Sequence, residues 1–376
     1  MKKYDTIVIG AGASGLIASS RLKGNTLLIE CNDRVGKKIL ATGNGKCNLT
    51  NKNLSGEYYS NPQFFDSVFE NNKGIVKEYF HSLGMLTKLD KSGRVYPYTQ
   101  QASTVLDILR NSVTCETKLS QKALSVEKND NGYRVITDKG EYLSTYVIVA
   151  TGGGKGLLSK LVDITDTYPS LCPLKTDTNH IKGLDGVRVQ CGVSLLNDDK
   201  KVYFENGEVL FRNYGVSGVA VFNVSAYVAR DKVKGNKGNW TISLDFLVDT
   251  DKEEVRRIVK TRIENGDDKQ KLLLGIVCNK LSDCILRRVD RIDVDSIIKL
   301  LTDYQITVKD LYGESAQVTS GGVNLDCVTF DFEAKAHRGL FVTGEALDID
   351  GLCGGYNLHW AFMSGLIVAK YISNKL

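Results

Sequence analysis

Tyr4-Asp5-Thr6-Ile7-Val8-Ile9-Gly10-Ala11-Gly12-Ala13-Ser14-Gly15 opens the chain, and Thr26-Leu27-Leu28-Ile29-Glu30 follows it. Residues 4–9 read as a buried strand. Ser14 to Lys23 reads as a helix stopped by Gly24-Asn25, and 26–30 as a second buried strand. The whole is a βαβ unit with G-x-G-x-x-G in its first turn and an acid closing its second strand. Gly10 permits the tight turn, Gly12 lets the backbone approach a pyrophosphate, and Gly15 lets the helix pack on the sheet. The helix N-terminus, carrying Ala11, Ala13 and Ser14, supplies free N–H groups and partial positive charge. Glu30 is placed to accept from adenosine ribose hydroxyls. The unit reads as a dinucleotide site.

The next residues choose the dinucleotide. Arg34-Val35-Gly36-Lys37-Lys38 and Thr42-Gly43-Asn44-Gly45-Lys46-Cys47-Asn48 form a second backbone-rich, basic stretch directly after Glu30. A long cofactor needs such a second loop. At the far end of the chain stand Gly344-Glu345 and Gly354-Gly355-Tyr356-Asn357, just before a helix from Leu358 to Ile372. A helix N-terminus aimed at the N1–C2=O edge of a flavin stabilises the negative charge that appears there on reduction. The expectation is non-covalent FAD, held by Gly10 to Gly15, Glu30, Arg34, Lys38, Thr42, Gly43, Asn44, Cys47, Asn48, Ala123, Thr151, Gly152, Gly344, Glu345, Gly355, Asn357 and Leu358. Only one strand–GxGxxG–helix unit exists, so NAD(P)H, where it serves as reductant, binds transiently.

Composition bounds the rest. The chain has 376 residues, long enough for two or three domains. Net charge is +5, which is mild, and the early basic run of Arg34, Lys37, Lys38, Lys46 and Lys52 leaves cofactor phosphates, nucleic acid and water all open as what it faces. Lys2 and Lys3 before an uncharged run imitate a signal peptide, but Asp5 and the spaced glycines belong to the fingerprint. No run approaches the ~18 apolar residues of a membrane span, and the chain reads as cytoplasmic. The nine cysteines include no C-x-x-C, and the four histidines no H-x-x-x-H, so no metal site is expected. Oligomeric state leaves no mark in the sequence.

Along the chain, 64–83 and 104–109 read as helix, 113–148 as strands, and 146–150 as an apolar strand closed by Thr151-Gly152-Gly153-Gly154. Residues 187–247 read as β structure, with a hairpin turning at Asn206-Gly207. Residues 251–311 read as helical, with Asp251 and Glu254 at a cap. The expected fold is α/β: a Rossmann-like FAD-binding domain (1–170 and 318–376) interrupted by an insert. The insert has a β-barrel part (171–250) and a helical part (251–317), and is expected to carry substrate specificity.

For catalysis three side chains stand out. Cys47 lies in a basic, glycine-rich loop where a thiol pKa can fall. Tyr356 and His359 adjoin the C-terminal glycine cluster.

Four longer motifs carry a resemblance: Ile39 to Asn51 around Cys47, Gly93-Arg94-Val95-Tyr96-Pro97, Val318 to Val323, and Gly344 to Gly351 with Gly354 to Leu358. They resemble the BaiN/RdsA-like (YhiN-type) FAD-dependent oxidoreductases, also described as aminoacetone-oxidase-like flavoproteins. The resemblance spans essentially the whole chain. It implies an FAD domain with a barrel and helical insert. It also implies one of three activities: C=C reduction in bile-acid intermediates, reduction of a uridine in large-subunit ribosomal RNA to dihydrouridine, or oxidation of aminoacetone. The chain departs from the family at Arg212-Asn213, where Thr-His is common, at Val219, where Pro is common, and at His359, where Gln is common. The preferred reading is a reductase of an activated C=C bond, in rRNA or in a small-molecule enone. The alternatives are a flavin-dependent amine oxidase and a non-catalytic flavin module that senses redox state or binds RNA.

Overall fold

Lys2–Ile9 pairs in parallel with Thr26–Ile29 on one side and Gly140–Val149 on the other. Glu116–Lys118 adds in parallel beyond Thr26–Ile29, and Leu340–Val342 beyond Gly140–Val149. The lower half of Gly140–Val149 pairs antiparallel with Gly132–Thr137, and Ala123–Asn129 closes that edge. The result is a seven-stranded sheet. Its parallel strands are covered on both faces, so they read as continuous apolar runs. Ile7, Val8, Leu27, Leu28, Val147 and Ile148 are fully buried. The expected Rossmann-like fold is the fold found.

This computed structural model describes residues 2–153 and 156–376, and Gly154 of the glycine turn lies outside them. The chain divides into two compact units, Met1–Thr167 with Val318–Leu376, and Tyr168–Gln317.

In the first unit the fingerprint helix is shorter than its sequence suggests. It spans Ala13–Ser19, because the Ser20 hydroxyl turns back to the Ile17 carbonyl at 2.7 Å, a local bond that competes with helix propagation. The 64–83 pattern splits at Gly74 into Pro62–Glu70 and Ile75–Ser82. The C-terminal helix, Tyr356–Ser373, lies on the fingerprint helix. A Cβ at Gly365 would stand 2.5 Å from the Ser14 carbonyl oxygen and 2.7 Å from Ile17 Cγ2, so glycine sets how closely the two helices approach.

The second unit is a closed six-stranded barrel of Leu174–Thr176, Gly215–Ser217, Lys200–Arg212, Arg188–Asn197, Trp240–Asp245 and Tyr304–Leu311. Three expectations are corrected here. Asn206-Gly207 is not a turn. Lys200–Arg212 runs straight through it, and the hairpin turns at Asp198 and Asp199, both with positive φ. Gly207 is glycine because a Cβ would stand 2.8 Å from that of Ala220. Ala220 belongs to a helix, Val219–Val233, inside the stretch read as β. Its buried residues include Asn223 and Ser225 while Val219 is exposed, so no 3.6-residue apolar stripe marks it. Finally, helix ends at Thr302, and Tyr304–Leu311 closes the barrel between Trp240–Asp245 and Leu174–Thr176. Before it, Lys252–Glu264 starts at Asp251, whose carboxylate accepts from the Glu253 and Glu254 N–H groups at 2.9 and 3.4 Å. Glu254 therefore serves through its backbone.

Gly365→Val is expected to cost about 1–3 kcal/mol by overpacking the helix pair. Urea denaturation reads this as a lower midpoint at unchanged slope, and an unchanged midpoint would contradict the close packing described.

Candidate active site

In open parallel sheets ligands gather beyond the carboxyl ends of the strands. Gly10, Glu30, Thr151 and Thr343 all lie there. A Cβ on Gly10 would stand 2.5 Å from the Ala150 carbonyl oxygen, and one on Gly15 would fall on the Gly10 carbonyl. One on Gly12 would meet nothing within 4 Å. The outer glycines are therefore needed for packing, while the middle one leaves backbone open to a ligand. Gly12 caps the helix without any side-chain hydrogen bond, so the first-turn N–H groups beside Ala13 and Ser14 face the open side.

Glu30 is buried and fixed. One carboxylate oxygen accepts from Ala11 N at 2.7 Å, the other from Asn32 N at 2.9 Å and Asn32 Nδ2 at 2.6 Å. Gln121 N donates to the Glu30 carbonyl at 2.9 Å, which brings Ala123 to the same strand end. Gly36 N donates to Ala11 O at 2.8 Å and fastens the Arg34–Lys38 segment to the glycine turn, with Arg34 exposed.

The second loop is tied at Thr42, whose carbonyl accepts from Gly45 N at 3.1 Å and Cys47 N at 3.0 Å. Gly43 is exposed, and Asn44 and Cys47 adopt positive φ. The loop meets the C-terminal cluster. A Cβ on Gly355 would stand 2.6 Å from Thr50 O and 2.7 Å from Asn48 Oδ1. Asn51 Nδ2 donates to Gly354 O at 2.9 Å. Asn357 clasps Gly351, accepting from its N–H at 2.8 Å and donating to its carbonyl at 2.6 Å. Gly355 starts the C-terminal helix without a side-chain cap, which leaves the N–H groups around Leu358 open.

Lys38 and Glu345 form an ion pair at 3.0 Å, and Glu345 also accepts from Thr319 N at 3.0 Å. Gly152 lies under the same carboxylate, a Cβ there reaching 3.5 Å from Glu345 Oε2, while Thr151 is exposed. Gly344 N donates to Ser364 Oγ at 2.9 Å, and its carbonyl accepts from Trp360 Nε1 at 3.1 Å. Thr319, Thr50 and Asn51 join these groups without having been singled out as site residues. All three lie inside motifs that carry the resemblance, where only their neighbours in space give them meaning.

The catalytic candidates separate. Cys47 is fully buried, and burial pushes its thiol up to about 12. This corrects the expected lowering: Lys46 is exposed, and desolvation of the thiolate wins. His359 is also buried, beside Phe65 and Phe69, with Nδ1 at 2.8 Å from Thr50 Oγ1 and Nε2 unpartnered. Burial lowers its pKa to about 3, so it stays neutral at physiological pH and does not act there as a titrating acid. Tyr356 stacks on Tyr58 at 4.5 Å, and its carbonyl accepts from Tyr59 OH at 3.0 Å. Burial, together with Tyr58 and Glu57, holds its phenol well above the usual range. Among the described residues no group of three or more His, Cys, Asp or Glu is placed to hold a metal ion. No helix among them is long and apolar enough to cross a membrane.

The open backbone at Gly12, the fixed Glu30 carboxylate and the buried, unpartnered Asn48 Oδ1 beside Gly355 fit the two ends of an extended dinucleotide. The HI0933-like protein Rossmann domain model matches residues 4–371. The chain belongs to the HI0933-like family. It is 31% identical to a 3-dehydro-bile acid delta(4,6)-reductase of Clostridium scindens, over 96% of this chain and 97% of that one. It is 28% identical to a ribosomal RNA dihydrouridine synthase of Escherichia coli K12, over 98% of both. A solved 3-ketosteroid-delta4-(5alpha)-dehydrogenase of Rhodococcus jostii RHA1 shares the fold. Its TM-score is 0.50 at 13% identity, over 99% of this chain and 97% of that one. The chain is an FAD-dependent oxidoreductase. Gly12 and Glu30 would hold the adenosine diphosphate half, and the Asn48–Gly355 junction the ring half.

Glu30→Gln, which keeps an acceptor for Ala11 N but removes the charge, is expected to weaken FAD retention by about 10-fold or more. The measurement is FAD content after dialysis, with circular dichroism unchanged. Unaltered retention would remove Glu30 from the site. His359 supplies a pH dependence. Its folded pKa lies below the unfolded value, so the unfolded chain binds the extra proton. Stability is full above about pH 6.5 and falls as pH drops toward about 3, with a slope of at most about 1.4 kcal/mol per pH unit. His359→Gln is expected to flatten that slope in denaturation curves taken across the window.

Proposed function

We propose that the enzyme reduces a C=C bond conjugated to a carbonyl, in a ribosomal uridine or a small-molecule enone. The observation that carries this is full-length similarity to two relatives whose names describe the same chemistry on different molecules. A delta(4,6) bond next to a 3-keto group and the C5=C6 bond of uracil are both polarised by a neighbouring carbonyl. When bound, FAD supplies a hydride from its reduced N5 to the β-carbon. The protein's part is to hold the carbonyl and deliver a proton to the α-carbon. Tyr356 suits the second task better than Cys47 or His359: its phenol stays protonated, and it opens the C-terminal helix at the glycine cluster. With its single GxGxxG unit given to FAD, NAD(P)H would serve as a transiently bound reductant, or another donor takes its place. This reading places the work in the cytoplasm.

Two assays test it. Holoenzyme reduced by NADPH or NADH is mixed anaerobically with androst-4-ene-3,17-dione, and large-subunit rRNA from cells lacking the chain is searched for a missing dihydrouridine. Reoxidation by the enone, or loss of the modified base, supports the proposal and separates the substrates. Tyr356→Phe is then expected to slow the oxidative half-reaction by about 10²–10⁴-fold while flavin reduction is unchanged. Inertness in both assays, with rapid oxygen consumption on adding aminoacetone, would replace the proposal with an amine oxidase.

A further inference from the structure

Arg94 lies in a small three-stranded sheet of Thr50–Asn51, Thr87–Leu89 and Arg94–Pro97. The register sets Arg94 opposite Asn51. Directly paired residues of an antiparallel ladder project to the same face, so Arg94 shares a face with the side chain that donates to Gly354 O at 2.9 Å. A Cβ on Gly354 would stand 2.7 Å from the Tyr356 ring, which closes the path from Arg94 to the phenol.

Arg94 is partly exposed, and no acceptor or carboxylate among the described residues takes a hydrogen bond or ion pair from its guanidinium. The carboxylate on its own hairpin is engaged elsewhere: Asp90 Oδ1 accepts from Ser92 N and Arg94 N, both at 2.9 Å. A guanidinium presents a rigid fork of donors suited to a planar oxygen acceptor. With no protein partner among the described residues, that fork is open to a ligand. The guanidinium charge favours the ionised form of the Tyr356 phenol, so the cation lies within electrostatic reach of it.

We propose that Arg94 is the substrate-binding residue that holds the oxygen of the conjugated carbonyl, beside Tyr356. This rests on the C=C reductase reading above. Charge that builds on the carbonyl oxygen when hydride reaches the β-carbon would meet a fixed cation, an arrangement of oxyanion-hole type. A carboxylate presents the same planar oxygens and fits the same site.

The test uses holoenzyme variants R94Q and R94K, with K91Q, an exposed cation on the same hairpin, as control. Equilibrium binding of benzoate is followed by perturbation of the flavin spectrum and by calorimetry, and FAD content is measured in parallel. The expected result is benzoate binding by the parent and by K91Q, at least tenfold weaker binding by R94Q, partial recovery in R94K, and full FAD content throughout. Reduction of androst-4-ene-3,17-dione or of rRNA should fall by about 10²–10³-fold in R94Q, the usual worth of one oxyanion donor. The assignment is overturned if the parent does not bind benzoate, if R94Q binds it equally, or if R94Q loses FAD. Benzoate bound through Arg94 without reduction of any conjugated C=C would leave the site standing and sink the reductase reading. Reduction with unchanged kcat/KM in R94Q would do the reverse.

Discussion

Gly15 has no room for a β-carbon, because one built there falls on the carbonyl of Gly10, while Gly10 itself lies against the Ala150 carbonyl oxygen. This contact of bare backbone joins the first strand, the fingerprint helix and the end of Gly140–Val149. The open side of Gly12 and the carboxylate of Glu30 are positioned by it. So is the C-terminal helix, which rests on Ser14 and Ile17 through Gly365. A larger side chain at either outer glycine would shift the elements that carry both ends of the cofactor site.

From that contact the site is assembled by short bonds between distant segments. Asn48, Thr50 and Asn51 come from the loop that follows the βαβ unit, and Gly351 to Tyr356 from the end of the chain. Asn51 and Gly354 are joined directly, and Asn357 folds the intervening loop onto itself. Few of these groups are charged. Backbone carbonyls, amide side chains and helix N–H groups dominate, which suits a neutral ring system with polar edges more than a polyanion.

Burial sorts the candidate acids and bases. Desolvation penalises the charged form, so it raises the thiol of Cys47 and lowers the imidazole of His359. Both remain neutral through the physiological range. Tyr356 keeps its proton for the same reason, within electrostatic reach of the Arg94 cation.

The βαβ unit, the second loop and the terminal glycine cluster were legible from the sequence alone. Their signals are local: each glycine answers a backbone demand within a few residues, and buried parallel strands are written as unbroken apolar runs. The pairing partners were not legible. Asn206-Gly207 has the local form of a turn, but Ala220, packing from another element, makes it the middle of a strand. Val219–Val233 buries Asn223 and Ser225 while Val219 is exposed, so periodicity fails to mark it. Cys47 looked activated beside Lys46, and only the tertiary structure shows the lysine in solvent and the thiol shut away from it. Arg94 lies in a motif that carries the resemblance, but nothing in that motif says what its side chain faces. An arginine becomes informative when its partners in the fold are known, and that is a property of the folded chain: burial and partner choice act across distances in sequence that no local pattern records.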